Sequence, residues 1–228
     1  MAQRSGLGFI AGGKGVFAPL GIGLGIWLIA GSLVGLAERL MLFRASARAS
    51  WSRFVGLPRS ALGTTIAHCG MGLTIIGVVS TSAFQTETIA AMRPGDSIEV
   101  GGGYTLLYQG NAPATGPNYR EERSLFMASR GGASGFPLAP AKRFYLARQM
   151  ATTEAAIKTV GLSQLYVNLG DRIENGAIAV RASYKPLVTL IWLGALVMAF
   201  GGALSLSDRR LRIGAPRKVA RAAEAAPT

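Results

Sequence analysis

The chain has 228 residues, half of them hydrophobic and only 15% charged, where a soluble domain carries about 25%; that length holds one or two compact units and excludes a large enzyme core beside many membrane helices. The formal net charge of +13 invites a nucleic-acid reading, but the basic residues crowd against apolar segments and lack the interleaved aromatics of a binding stripe, which argues against nucleic acid as a partner. One cysteine and one histidine exclude an internal disulfide, a CxxC pair, a two-histidine metal cluster and a catalytic triad.

In chain order, residues 1–15 form a segment whose only charges are Arg4 and Lys14. The first apolar span covers residues 16–37, with Pro19 early in it and two Gly-xxx-Gly pairs, Gly21/Gly25 and Gly31/Gly35. A basic loop at 38–61 holds five Arg (39, 44, 48, 53, 59) against one Glu. The second span covers 62–84 and contains His68 and Cys69, the latter read as a small buried apolar residue. A polar region, 85–185, is nearly balanced, with 11 basic and 8 acidic residues. The third span covers 186–206. A tail at 207–228 carries six Lys or Arg against Asp208 and Glu224. Each span supplies about 20 residues, enough to cross a hydrocarbon core about 30 Å thick. None reads as a cleaved signal peptide.

The Lys/Arg bias places loop 38–61 and tail 207–228 in the cytoplasm, at an anionic membrane face. Residues 85–185 and the N-terminal segment then lie on the other side. Glycines in all three spans permit close helix approach, and three helices make only a small bundle, so helices of another chain are expected partners.

Residues 85–185 read as mainly β. Expected strands are Ile98 to Val100, Tyr104 to Tyr108, Ser124 to Ala128, Arg143 to Arg148, Gln164 to Leu169 and Ile178 to Ser183. Gly101-Gly102-Gly103 reads as a turn, lacking the spacing and the following helix of a phosphate loop. Asn111 to Asn118 and Gly131 to Pro140 read as loops, and Thr152 to Ile157 as a short helix or a loop. The fold class is therefore membrane α-helical with an inserted, mainly β external domain, an antiparallel sandwich or barrel-like sheet.

His68 is the residue with chemistry to offer. An ionisable side chain about one-third of the way across a span is costly and is a functional candidate by default. Thr64 at i−4 and Gly72 at i+4 leave room for a flat group, as an axial haem ligand requires. A hydrogen bond to a neighbouring helix explains the residue equally well. The external carboxylates Glu121, Glu122, Asp171 and Glu174 form no acid–base pair and read as solvated surface. Arg120, Arg123 and Arg143 are candidates to meet propionates, or ordinary surface arginines.

Several segments resemble a known family. They are Ile66-Ala67-His68-Cys69-Gly70-Met71-Gly72, Gly116-Pro117-Asn118-Tyr119, Leu138 to Tyr145, Thr152 to Ile157, and Val180 through Trp192 to Arg210. In this order they resemble the C-terminal part of the CcmF-type cytochrome c haem lyases, over about Trp27 to Arg212. The resemblance implies a bacterial inner-membrane component of cytochrome c maturation. Such proteins take haem from a haem chaperone and attach it to the CxxCH cysteines of apocytochrome c. It also implies a b-type haem held between two membrane histidines, with His68 matching the later one as cofactor-binding residue and axial metal ligand. The earlier histidine, the tryptophan-rich external loop and two external histidines of the family have no counterpart here. The chain is accordingly expected to be a fragment or a split subunit, inactive without an N-terminal part that supplies the other ligand. The family's Asp-Leu-Tyr-Val appears as Gln164-Leu165-Tyr166-Val167, so no role is carried over to its acidic position. The competing expectation is a non-catalytic assembly module that docks apocytochrome or chaperone. A transporter fragment is disfavoured, since the spans hold no paired charges.

Overall fold

The computed structural model describes residues 8–173 and 176–208, with side chains from Phe17 onward in the first helix. Four helices flank and support ten strands: α1 Gly8–Leu40, α2 Ala47–Val55, α3 Arg59–Phe84, β1 Thr86–Met92, β2 Ser97–Val100, β3 Tyr104–Thr115, β4 Tyr119–Arg130, β5 Phe136–Leu138, β6 Ala141–Tyr145, β7 Met150–Glu154, β8 Ala156–Val160, β9 Ser163–Arg172, β10 Ile178–Lys185 and α4 Thr189–Leu206. Helices α1, α3 and α4 are long and apolar enough to cross a membrane.

The middle helix, α3, packs against both of the others, and glycine sets how closely. A Cβ on Gly63 would fall 2.5 Å from the Gly201 carbonyl oxygen, and one on Gly70 would fall 2.7 Å from that of Gly194. On another face, Gly25 and Gly72 stand in the same relation, 2.9 Å from the Gly72 oxygen in the first case. Backbone touches backbone at these points, the geometry through which small residues hold membrane helices together. Only one of the two Gly-xxx-Gly pairs of α1 is used this way. Gly21 and Gly25 meet Val79 and Ile76, whereas a Cβ on Gly31 or Gly35 would meet nothing within 4 Å.

The spans differ from expectation at their ends. Helix α1 begins by Gly8, so part of the expected N-terminal segment 1–15 is helical, and Pro19 is accommodated inside it. Arg4 and Lys14, like the basic residues 209–221 of the tail, lie outside what can be described in side-chain detail. The basic loop is not featureless. Ser46 Oγ accepts a hydrogen bond from Ala49 N, capping α2, and Trp51 stacks on Phe54 with ring centroids 5.6 Å apart. Aromatic residues are thus interleaved with Arg48 and Arg53, contrary to the sequence reading of this stretch. They remain outward, with Trp51 67% exposed.

Residues 86–185 form a two-sheet antiparallel sandwich. One sheet runs β1-β10-β9-β8 and the other β2-β3-β4-β6-β7, with β5 on β4. Alternation along the strands builds the core: Tyr104, Leu106 and Tyr108 on β3, Leu165, Val167 and Leu169 on β9, and Ile178, Val180 and Ala182 on β10. These nine, among fourteen buried side chains of the core, face one another between the sheets, as period-two patterning requires. Four expectations fail, the first being the loop at Gly131 to Pro140, which contains β5 paired with β4. Thr152 to Ile157 is neither helix nor loop but the end of β7 and the start of β8. Asn111 to Thr115 continue β3 past a bulge at Tyr108/Gly110. The strand expected to reach Arg148 ends at Tyr145.

Helix α3 passes directly into β1, and β10 into α4. These two strands pair, with Thr86 opposite Tyr184. Thr81 Oγ1 donates to the Pro186 carbonyl at 3.1 Å, and Thr189 N to that of Leu162 at 3.2 Å. The Gly101–Gly103 turn is wedged against this junction. Gly102 has φ +76, and a Cβ there would fall 2.7 Å from the Tyr184 ring. The triplet is a close-packed turn.

Candidate functional site

His68 lies on α3 clear of both glycine contacts. Its Nδ1 is 2.8 Å from the Thr64 carbonyl oxygen. A carbonyl only accepts, so Nδ1 carries a proton, and in the neutral ring Nε2 is the nitrogen with the lone pair. Among the described residues Nε2 has no hydrogen-bond partner. Among the described residues no bond from His68 to a neighbouring helix of this chain is made. Its one bond is to its own helix.

The ring lines an open groove of about 600 Å³ between α1 and α3. Trp27, Gly31, Gly35 and Arg39, spaced by four, form one wall, and Ser60, Thr64 and His68, also at four-residue steps, form the other. Such spacing places side chains along one helix face. The bare backbone at Gly31 and Gly35 keeps the groove wide. The hydroxyls are occupied locally: Ser32, Thr64 and Thr65 each donate to the carbonyl four residues earlier. The donor set is therefore one imidazole nitrogen in an apolar slot wide enough for a planar group, which fits an axial haem ligand. Cys69, beside His68, is a free thiol, partly exposed.

Of the carboxylates read as solvated surface, Asp171 is exposed as expected, Glu122 is part-exposed and Glu121 is buried. Glu121 and Glu122 are neighbours on β4, so they point to opposite faces of the sheet. Glu122 bonds Asn111 Nδ2 at 2.8 Å and pairs with Arg172 of the facing sheet. Glu121 is buried between Arg123 and Arg143, the latter at 2.6 Å. Its carboxyl is held below the usual range, first by the hydrogen bond from Arg143. Arg143 also pairs with Glu154 at 3.1 Å and lies 4.5 Å above the Tyr119 ring. Arg123 and Arg143 thus both pair with Glu121 on the outer face of the sheet, away from the core between the sheets, with Arg123 half exposed. Asp171 is exposed and meets Lys142 at 3.0 Å; Glu174 lies outside the described residues. Gln164 bonds Thr159 at 3.2 Å on the β8–β9 edge.

The family model described as the CcmF C-terminal beta-sandwich matches residues 83–186. The chain belongs to the C-terminal region of the CcmF family. It is 50% identical to the cytochrome c-type biogenesis protein CycK of Rhizobium meliloti over 214 residues, 94% of this chain and 32% of that protein. It is 33% identical to the cytochrome c-type biogenesis protein CcmF of Escherichia coli, over 85% of this chain and 28% of that one. A solved structure titled Cytochrome c Heme Lyase CcmF superposes with a TM-score of 0.66 at 17% identity, covering 91% of this chain and 36% of the other. That likeness shows the fold: three apolar helices carrying a β-sandwich. The chain spans about a third of the length of the curated relatives it matches.

Proposed function

We propose that this chain is the C-terminal portion of a haem lyase for c-type cytochromes and that His68 supplies one axial ligand to a b-type haem. The observation that carries the proposal is the Nδ1 bond to Thr64, which fixes the ring and leaves Nε2 free beside an open groove. A second ligand comes from an N-terminal portion, whose helices complete the bundle along the exposed faces of α1 and α3. In this role a bound haem supplies one-electron chemistry within the membrane. The chain's own part is structural: Thr64 holds the imidazole tautomer, Gly31 and Gly35 keep the slot open, and α3 and α4 carry the sandwich over the membrane.

By the arginine bias, residues 38–61 and the tail face the cytoplasm of a bacterial inner membrane. The sandwich then faces the periplasm, where apocytochrome c and a haem chaperone meet it. The reaction served is the joining of haem vinyl groups to the CxxCH thiols of apocytochrome c.

The test is a visible spectrum of the chain purified together with the N-terminal portion of a CcmF-type relative. A haem absorbance that depends on both portions and vanishes in His68→Ala supports the proposal. Absorbance that persists unchanged in His68→Ala eliminates His68 as the ligand and favours an assembly module that docks apocytochrome without holding haem.

A further inference from the structure

The groove has a second functional end. Arg39, four residues beyond Gly35 on the same face of α1, is its one charged lining residue besides the titratable His68. Among the described residues it makes no hydrogen bond or ion pair. No carboxylate lines the groove. Glu38, next in sequence, belongs to another face, and Asp208 is engaged by Ser60 on α3. A guanidinium at the edge of an apolar slot, with five donors unspent, is a site for an anion.

The spacing specifies which kind. Gly25 and Gly72 touch, which aligns the two antiparallel helices at that level. From there Arg39 is fourteen residues along α1 and His68 four residues back along α3. At 1.5 Å per residue these are about 21 Å and about 6 Å, so the two Cα positions differ by about 15 Å along the groove. An extended arginine reaching up and a carboxylate arm reaching down from a flat group seated at His68 close that distance. Between them lies the bare wall of Gly31 and Gly35, where no side chain interrupts a planar face.

We infer that Arg39 is the propionate anchor of this groove, pairing with the carboxylates of a haem whose iron His68 ligates. The inference rests on the haem reading above and adds the orientation: propionates toward the α1–α2 end, the hydrophobic edge toward Trp27. Fork-shaped guanidinium groups suit carboxylates in this setting, where a charge-assisted bond is stronger than in water.

The experiment titrates haemin and haemin dimethyl ester, which lacks the propionate charges, into the apo complex of this chain with the N-terminal portion of a relative. Arg39→Gln, Arg39→Lys and His68→Ala are compared with the unaltered chain. Arg39→Gln is expected to weaken haemin about tenfold, the size of one charge-assisted hydrogen bond, while leaving the ester's affinity unchanged. Arg39→Lys is expected to recover part of the loss. Equal weakening of both haems by Arg39→Gln, or no weakening of either, overturns the propionate assignment while leaving His68 in place. Unchanged haemin binding and spectrum in His68→Ala overturns the haem reading itself, and the Arg39 inference with it.

Discussion

Asp208, two residues beyond the last turn of α4, accepts two hydrogen bonds from Ser60 at the start of α3, from its amide at 3.1 Å and its hydroxyl at 2.8 Å. Pro58 occupies the N-cap position of α3 and offers no side-chain bond. A residue 148 positions away therefore does the work of a local cap, and it puts a carboxylate at the positive end of the helix. Asp208→Ala is expected to cost about 1 kcal/mol, the usual loss on removing a cap. Asp208→Asn is expected to retain most of it. Thermal unfolding of the detergent-solubilised chain checks the pair, and equal losses in both would assign the stability to charge alone.

The two classes of glycine make opposite predictions. At Gly70 a Cβ would fall 2.6 Å from Met198 N, so Gly70→Ala must push α3 from α4 and lower the thermal midpoint sharply. At Gly31 a Cβ meets nothing within 4 Å, so Gly31→Ala leaves that midpoint unchanged. Gly31→Leu, which fills the groove, is expected to leave the fold intact and abolish haem absorbance in the complex with an N-terminal portion.

Glu121 predicts the acid limb of stability. Its folded carboxyl lies below the ordinary value of about 4.3 because Arg143 and Arg123 bond the ionised form. The stabilisation is therefore complete above the unfolded value and is lost as pH falls through the lower, folded one. On this account the contribution is undiminished well above the ordinary carboxylate value, declines as pH falls below it and is gone below the folded value. Glu121→Gln should cost about 2 kcal/mol at pH 7, as for hydrogen bonds to charged groups. It should also flatten the dependence between pH 5 and pH 2 in denaturant melts.

Helix α2 predicts a position in the bilayer. Trp51 and Val55 are 67% and 70% exposed beside Arg48 and Arg53, the composition of a helix lying in the headgroup region. With Trp27 and Trp192 replaced by Phe, Trp51 fluorescence in vesicles should be quenched more by lipids brominated near the headgroup than by lipids brominated near the chain end. The reverse order, or no quenching, would place α2 elsewhere.

The spans were legible because about 20 apolar residues leave little else to form, and β3 and β9 because their burial alternates. Strands β7 and β8 were not: most of Met150 to Val160 is exposed, so no apolar period marks them. The loop expected at Asn111 to Asn118 came from Pro113, Gly116 and Pro117. Pairing with β2 ends at Leu107, so beyond it that side of β3 is an edge, where a proline costs no ladder bond. His68 stood out as a lone ionisable residue in a span. The groove did not, because Gly31/Gly35 and Gly21/Gly25 are the same motif in sequence and differ only in what packs on them. Glu121 looked like surface because its burial is made by Arg123 and Arg143, two and twenty-two residues away.

The pairing of Thr86 with Tyr184 makes the sandwich a graft on a helical hairpin. Chain enters and leaves it through adjacent strands, at a separation a tight turn can bridge. The same doorway acts as a lever. Any change in the tilt between α3 and α4 shears β1 against β10, and so reaches the far sheet through Tyr184 and the glycine turn it leans on. A partner that moves the membrane helices would thereby move the platform above them.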